Sequence, residues 1–482
     1  MGIRQRLGAA PPLADADLLA SAGRDSAAAR THDCARPVRL RGSTQLVDLA
    51  TGETRVLYSS GQELDGFSWL PCGNRRAAAC EPCSRRYKAD AWQLITAGLG
   101  GGKGIPATVA EHPCTFATFT APSFGPVHGM RQRGPCRARR DKPLCPHGRP
   151  MWCSRQHGPD DLELGDPLCA DCYDYTAHVV WQWHAPELWR RTTIALQRDL
   201  ARRCGLTVQE FRAACTIAYS KVTEFQARGV VHLHVPIRLD GPEGPDGAPP
   251  DLPLTTVDLE AAIHNTAARV RVSSAPLAEG RVYLLRWGDQ VDCRTITDTA
   301  DRETRSRFAV VHPEQVGSYL AKYLTKATED FGLPATVRSA AHARLAGATD
   351  HAVRIIATAE HLAEAGGDYA MLRAHLGTLG YRGHPITKSR AYSVTFGQLR
   401  RARRHWRRDP VPDIVDVREL IYDDADIPDG FQLVSSWEFA GQGYLDLDQA
   451  AAAVRSATGS RIRSRARERS TAQSNTHERQ GR

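Results

Sequence analysis

The run VVHLHVPIRLD places His232 and His234 two residues apart. In a strand, a period of two turns both imidazoles to one face and sends Val231, Leu233, Val235 and Ile237 to the other, into a core. Two neutral imidazoles side by side can hold a divalent cation. The alternative is a pair of hydrogen-bonded surface histidines. Glu224 lies eight residues before His232, and the intervening FQARG suits a hairpin turn. A hairpin folds Glu224 back beside the histidines, where its carboxylate supplies a hard oxygen ligand; read alone, Glu224 is an ordinary solvated strand residue.

A second constellation is SYLAKYLTK, residues 318–326. On a helix Tyr319 and Tyr323 share one face, and Lys322 and Lys326 each follow a tyrosine by three residues. A phenol with a pKa of about 10 is a poor nucleophile near neutral pH. A neighbouring ammonium and a cation on the target phosphate would both help it attack. The plain alternative is an amphipathic helix with half-buried tyrosines and solvated lysines. The chain has seven lysines, and two of them fall inside these five residues, each in register with a tyrosine.

Cysteine and histidine supply a third kind of chemistry. Cys72, Cys80 and Cys83 form a Cys-x-x-Cys knuckle with an upstream thiolate, and Cys34 or His32 is the candidate fourth ligand. Cys145, His147, Cys153, His157, Cys169 and Cys172 form a second group. Six ligands exceed one tetrahedral site, so either two lie outside the shell or Cys136 joins to make a second. Such spacing favours structural Zn2+, one or two ions in all, stapling loops that could build no core of their own. Cys114, Cys204, Cys215 and Cys293 read as isolated buried residues.

These residues resemble the replication initiators of the HUH endonuclease superfamily, which drive rolling-circle replication. The shared features are a hydrophobic residue between two histidines, a glutamate eight positions upstream, YLAKYLTK downstream, and TFATFTAPS as a core strand beside the histidines. The wider layout, with CGNRRAAACEPC, CPHGRP, LCADCYDY and RGHPITKSRAYSVTF, resembles the RepSA-type initiators of actinobacterial plasmids and integrative elements. The resemblance implies that His232, His234 and Glu224 hold Mg2+ or Mn2+ against a scissile phosphate. It implies that Tyr323 attacks first, leaving a free 3′-hydroxyl and a 5′-phosphotyrosine, and that Tyr319 attacks the regenerated junction later. Relatives with a single tyrosine carry a carboxylate where Tyr319 stands. A conjugative relaxase or transposase of the same superfamily, and a zinc-dependent DNA-binding regulator without enzymatic activity, are the competing readings.

The elements that must position these groups follow from periodicity. Strands are expected at Thr115–Thr120, Cys215–Glu224, Val230–Leu239 and Val282–Trp287. Helices are expected at Pro186–Arg203, with the proline opening the first turn, at Val257–Val270, and at Pro313–Thr328. Hairpin-linked strands mixed with helices argue for an α+β fold with an antiparallel sheet.

Read end to end, 1–30 is a flexible arm and 31–110 a first zinc-binding segment and helix. Residues 111–335 are the nuclease domain, with a Cys/His-rich insert at 130–175. Residues 336–458 are a helical, basic C-terminal region, and 459–482 a disordered Arg-rich tail. The chain carries 63 Lys and Arg against 54 Asp and Glu, a net charge of +9, which suits a polyanionic partner. Arg137, Arg139 and Arg140 in one basic run, and Arg400, Arg403 and Arg404 in another, are candidates for phosphate contact. Trp406 inside the second run could stack on a base or pack in a core.

Neither a signal peptide nor a membrane span is expected, which points to the cytoplasm. The partners implied are plasmid origin DNA, single-stranded at the nick, with a host helicase and polymerase, because the sequence lacks a Walker-type loop of its own.

Overall fold

The computed structural model describes residues 27–63, 65–131, 133–297, 310–325, 328, 331–334, 336–408, 430–451, 453–455 and 457–458. The first 26 residues and the tail after 458, expected as an arm and a tail, lie outside them. The chain divides into two compact units, Met1–Tyr87 with Tyr422–Arg482, and Lys88–Ile421. Among the described residues no helix is long and apolar enough to cross a membrane.

The first unit is built on an antiparallel sheet. Strand β1 (Val38–Asp48) runs between β2 (Thr54–Ser59) and the C-terminal strand Phe431–Gln442, and β3 (Ser68–Leu70) pairs with its start. Thus the region expected to be helical and basic contributes a twelve-residue strand to a sheet that also uses residue 38. That strand carries almost no burial contrast between its faces, which hides the period-two signature. Phe67 and Trp69 pack with Ala440 and Tyr444 as the small core of this unit.

The helix α1 (Glu81–Gly100) leads into the second unit. Its centre is a five-stranded antiparallel sheet made of β4 (Cys114–Phe119), β5 (Thr216–Phe225), β6 (Val231–Asp240), β9 (Val291–Thr295) and β10 (Ile386–Lys388), in the order β10-β5-β6-β4-β9. The two-stranded pair β7 (Val272–Ser273) and β8 (Leu284–Leu285) stands apart; only the latter remains of the strand expected over Val282–Trp287.

On one face of the large sheet Leu233, Val235, Ile237 and Leu239 are fully buried, with Phe119, Trp181, Leu188, Leu200 and Trp287 in the same core. Each such side chain contributes about 1.5–3 kcal/mol of burial. The covering helices are α2 (Tyr175–Arg203) and α4 (Thr256–Arg269), with the short α3 (Val208–Ala214) between them. Helix α2 begins eleven residues before Pro186, capped by Asp174, whose side chain accepts from the Ala177 N–H at 2.8 Å. Pro186 therefore lies inside the helix. A mid-helix proline costs about 3 kcal/mol, but Val179, Val180, Trp181 and Trp183 before it and Leu188 and Trp189 after it are all buried, and that packing carries the helix through.

The other face of the sheet holds the two histidines. Arg238 on this face is fully buried and forks onto Asp240 at 2.6 and 2.8 Å, and it also donates to the backbone carbonyl of Gly98 in α1. His112 Nδ1 closes the group on Asp240 at 2.8 Å. A buried guanidinium is tolerated only when so paired, and the arrangement ties α1 to the sheet. Helix α5 (Pro313–Leu324) then lies on α1. A Cβ on Gly317 would meet Thr96 Cγ2 at 2.4 Å, so only glycine permits this approach, and Trp92 Nε1 donates to Ser318 Oγ at 3.3 Å. The remaining helices α6 (Ala340–Leu345), α7 (Asp350–Glu364) and α8 (Phe396–Arg408) follow, as expected for the region after 335, except that β10 interrupts them to add a sheet edge beside β5.

Candidate active site and cysteine clusters

The hairpin register puts Glu224 opposite His232 and Val222 opposite His234. Gly229, at φ +77°, makes the turn, and its N–H donates to Gln226 O at 2.8 Å. Directly opposed residues share a face, so Glu224, His232 and His234 project together. Glu224 Oε2 lies 3.0 Å from His232 Nε2 and 2.8 Å from His234 Nε2. The neighbouring strand adds Thr118, opposite His234, with its hydroxyl 3.0 Å from His234 Nδ1. Phe116 stacks on the His234 ring at 5.6 Å.

Burial pushes the Glu224 carboxyl up, but the two imidazoles outweigh it and hold the group at about 2. Burial lowers the His234 pKa and keeps the ring neutral, against the opposing pull of Glu224. A carboxylate and a neutral imidazole are the protonation states in which these groups bind metal. His232 Nε2 is buried and makes no well-directed hydrogen bond, despite the 3.0 Å approach to Glu224. Two imidazole nitrogens and a carboxylate oxygen thus converge on a common point, and they fit a divalent cation.

Helix α5 brings the tyrosines to the same place. Pro313 opens it, the His312 N–H donates to Gln315 Oε1 at 3.1 Å, and the His312 ring accepts from the Glu314 N–H at 3.3 Å. Leu320 and Leu324 are buried, turning Tyr319 outward against the histidines. Tyr319 Oη is 3.4 Å from His234 Nε2, and its ring lies 4.8 Å from that of Tyr323. The Tyr323 ring is 6.3 Å from that of His234. Burial, the Glu224 charge and Tyr323 push the Tyr319 phenol far above its usual range, so the group is a neutral phenol. The Lys322 ammonium stands 5.7 Å from the centre of the Tyr323 ring. The helix ends at Leu324, earlier than expected, and Lys326 lies outside the described residues.

Residues far apart in the chain therefore meet in one cluster. The family described as "Replication initiator protein, pSAM2" (RepSA) matches residues 23–458, nearly the whole chain. The chain belongs to this family. It is also 38% identical over 431 residues to a replication initiator protein of Streptomyces ambofaciens, covering 88% of this chain and 87% of that protein. No solved structure matches.

Among the described residues of this initiator-family chain, cysteine and histidine form three quartets, one in the first unit and two in the second. Cys34, Cys72, Cys80 and Cys83 make one group that could hold a metal, in which the fourth member beside the knuckle is Cys34. Hydrogen bonds from Cys34 and Cys83 draw the Cys80 thiol toward thiolate. The six residues grouped from sequence split in two. Cys145, His147, Cys169 and Cys172 form one quartet, and Cys153 and His157 join His128 and Cys136 in another. Cys136 thus joins as a seventh candidate ligand, as in one of the two alternatives, and His128 is an eighth that was not expected from the sequence. Its signal is faint, since it stands eight residues before Cys136 with no second ligand near it. Among the described residues three cysteine-containing quartets that could hold a metal stand where one or two zinc ions were expected, because the chain folds back on itself over 126–168.

The basic candidates are dispersed. Arg139 pairs with Asp141 at 2.7 Å on an exposed surface, and Arg140 is exposed. Arg137 is half-buried, its backbone laddered to Cys153. Arg400 is exposed on α8, whereas Arg403 is committed to the buried carboxylate of Asp90 through both guanidinium nitrogens. The side chains of Arg404 and Trp406 lie outside the described set.

Proposed function

We propose that this chain starts replication of a plasmid or integrative element by cutting one strand of its origin DNA with a tyrosine nucleophile, in the manner of an HUH endonuclease. The observation that carries this reading is the convergence of Glu224, His232 and His234 with the phenols of Tyr319 and Tyr323 on one sheet face. Family membership supports the wider role.

Glu224, His232 and His234 would hold Mg2+ or Mn2+, the imidazoles favouring Mn2+ as the softer ion. A bound cation would polarise the scissile phosphate and favour ionisation of a nearby phenol. The chain's own residues do the rest. Thr118 fixes the ring of His234 through Nδ1 and leaves Nε2 free as a ligand. Lys322, and Lys326 three residues after Tyr323, offset the charge of a phenolate. Tyr323 oxygen bonds to phosphorus as the bond to the 3′ oxygen breaks; that oxygen takes up a proton, leaving a 3′-hydroxyl for polymerase and a 5′-phosphotyrosine on the protein. Tyr319 attacks the junction regenerated after one round, and the strand passes between two phenols whose rings are already in contact. The 3.4 Å approach of Tyr319 to His234 favours a second reading, with the two tyrosines exchanging order.

The Cys/His quartets are read as structural zinc sites, and the exposed arginines as phosphate contacts. Unwinding and synthesis fall to a host helicase and polymerase, in the cytoplasm. The test is relaxation of a supercoiled plasmid carrying the cognate origin. Nicking should need Mg2+ or Mn2+ and disappear in the His232→Ala/His234→Ala double variant while duplex binding persists. Undiminished nicking by that variant rejects the site. Duplex binding with no nicking by the native chain would favour the non-enzymatic regulator.

A further inference from the structure

We infer that residues 128–172 are a single cross-braced module closed by two metal ions that bind and leave together. The ligands come in four successive pairs: His128 with Cys136, Cys145 with His147, Cys153 with His157, and Cys169 with Cys172. The first and third pairs form one quartet, and the second and fourth form the other. The sites are therefore interleaved along the chain, and neither can be cut out without severing the loop that carries part of the other.

The packing shows why this matters. Between residues 129 and 164 the only buried residues among those described are Cys136, Cys145, Cys153 and His157. All four are quartet members. Among the described residues of this stretch there is no apolar core, so the ligands and what they bind are its core.

Backbone pairing is sparse and brings the ligands into place. Cys136 N–H donates to Arg155 O at 2.7 Å, Arg137 and Cys153 exchange hydrogen bonds at 3.0 and 2.9 Å, and Cys145 N–H donates to Arg149 O at 2.9 Å. At the base the His128 N–H donates to Asp166 O at 2.8 Å.

The donor atoms are arranged for tetrahedral metal. His128 Nδ1 and His157 Nε2 approach to 3.0 Å, and Cys153 Sγ is 3.4 Å from the same His157 nitrogen. The other nitrogen of His157 meets Asp161 Oδ2 at 2.8 Å, the carboxylate–histidine pairing that orients a metal-bound imidazole. In the second quartet His147 Nδ1 lies 3.2 Å from Cys172 Sγ and 3.7 Å from Cys169 Sγ. Cys2His2 and Cys3His sets of this kind select Zn2+.

Coupling follows from loop closure. With the first site filled, the chain on both sides of Cys145 and His147 is tied down at Cys136 and Cys153, and these two ligands are held near Cys169 and Cys172. With it empty, the same ligands sit on a long unsupported loop, and the second ion must order that loop alone. The inference does not depend on the nicking chemistry, because zinc content is measured whether or not the protein cuts DNA.

The test is the zinc content of the full chain purified with reductant. The native chain should carry three ions, one from the Cys34 quartet and two from this module. Cys136→Ser and Cys172→Ser should each lose two ions, and Cys80→Ser one. Loss of a single ion in both Cys136→Ser and Cys172→Ser overturns the coupling, and a native chain with at most one ion overturns the sites. Should the variants fail to fold, chelator titration of the native chain decides. Two ions leaving in one cooperative step, with tryptic cutting at 131–155 appearing in that step, supports the module. Two independent departures refute it.

Discussion

The phenol oxygen of Tyr319 lies 3.4 Å from Nε2 of His234, on the side of the ring that faces Glu224. The two nucleophile candidates are thus not equivalent: Tyr319 touches a proposed metal ligand, and Tyr323 stands one turn further along the helix. Under the proposed order, Tyr319→Phe still makes the first cut but fails to resolve the covalent product by strand transfer. The check is a two-oligonucleotide assay that scores cleavage and rejoining separately. Loss of the first cut in Tyr319→Phe, with Tyr323→Phe still cutting, would reverse the order.

Thr118 has no role in bond making, yet its hydroxyl is the partner of His234 Nδ1. Thr118→Val keeps the strand and the side-chain shape while removing that partner. Loss of such an outer contact weakens metal affinity by about 10–100-fold. The Mn2+ concentration giving half-maximal nicking should rise by that factor, with an unchanged melting temperature. An unchanged Mn2+ requirement would show that Thr118 positions nothing.

Lys221 is 3% exposed, on the sheet face away from the histidines, and its ammonium donates to the hydroxyl of Tyr381 at 3.3 Å. Burial pulls its pKa down from 10.5 to about 8. The folded chain therefore binds this proton less tightly than the unfolded chain does. Stability contributed at this site rises with pH between about 8 and 10.5 and is lowest below 8. Lys221→Met removes the penalty, up to about 3 kcal/mol at neutral pH. Its melting temperature should exceed that of the native chain at pH 7, with the gap closing toward pH 10. A gap that does not depend on pH would assign the effect to packing alone.

Two arginines of one helix should behave differently. Arg403 is locked to buried Asp90, while Arg400 is exposed. Arg403→Ala should lower the melting temperature by leaving a buried carboxylate unpaired. Arg400→Ala should leave stability unchanged and reduce the salt dependence of duplex binding by about one ion. An unchanged salt slope for Arg400→Ala would remove that residue from the DNA surface.

Much of the site was legible because its spacing is local. His232 and His234 share a face by strand periodicity, Glu224 is returned by a short hairpin, and Tyr319 and Tyr323 stack by helical periodicity. What escaped depends on contacts between distant segments. The strand Ile386–Lys388 is three residues long and has meaning only beside β5. Pro186 reads as a helix start until the buried tryptophans on both sides of it are seen. The second cysteine group stayed undivided in the sequence because successive ligand pairs alternate between two quartets, an assignment that the fold-back of 126–168 decides.

The central claim is that a tyrosine of α5 becomes joined to DNA, and the most direct measurement is a denaturing gel of the protein incubated with Mn2+ and a labelled origin oligonucleotide. The native chain should shift as a covalent adduct when the label lies on the 3′ side of the break, the fragment whose 5′ phosphate is joined to the tyrosine, and the labelled peptide should map to residues 318–326. Tyr319→Phe/Tyr323→Phe should give none. A labelled adduct on any other peptide, or cleavage of the oligonucleotide with no adduct at all, would contradict the account.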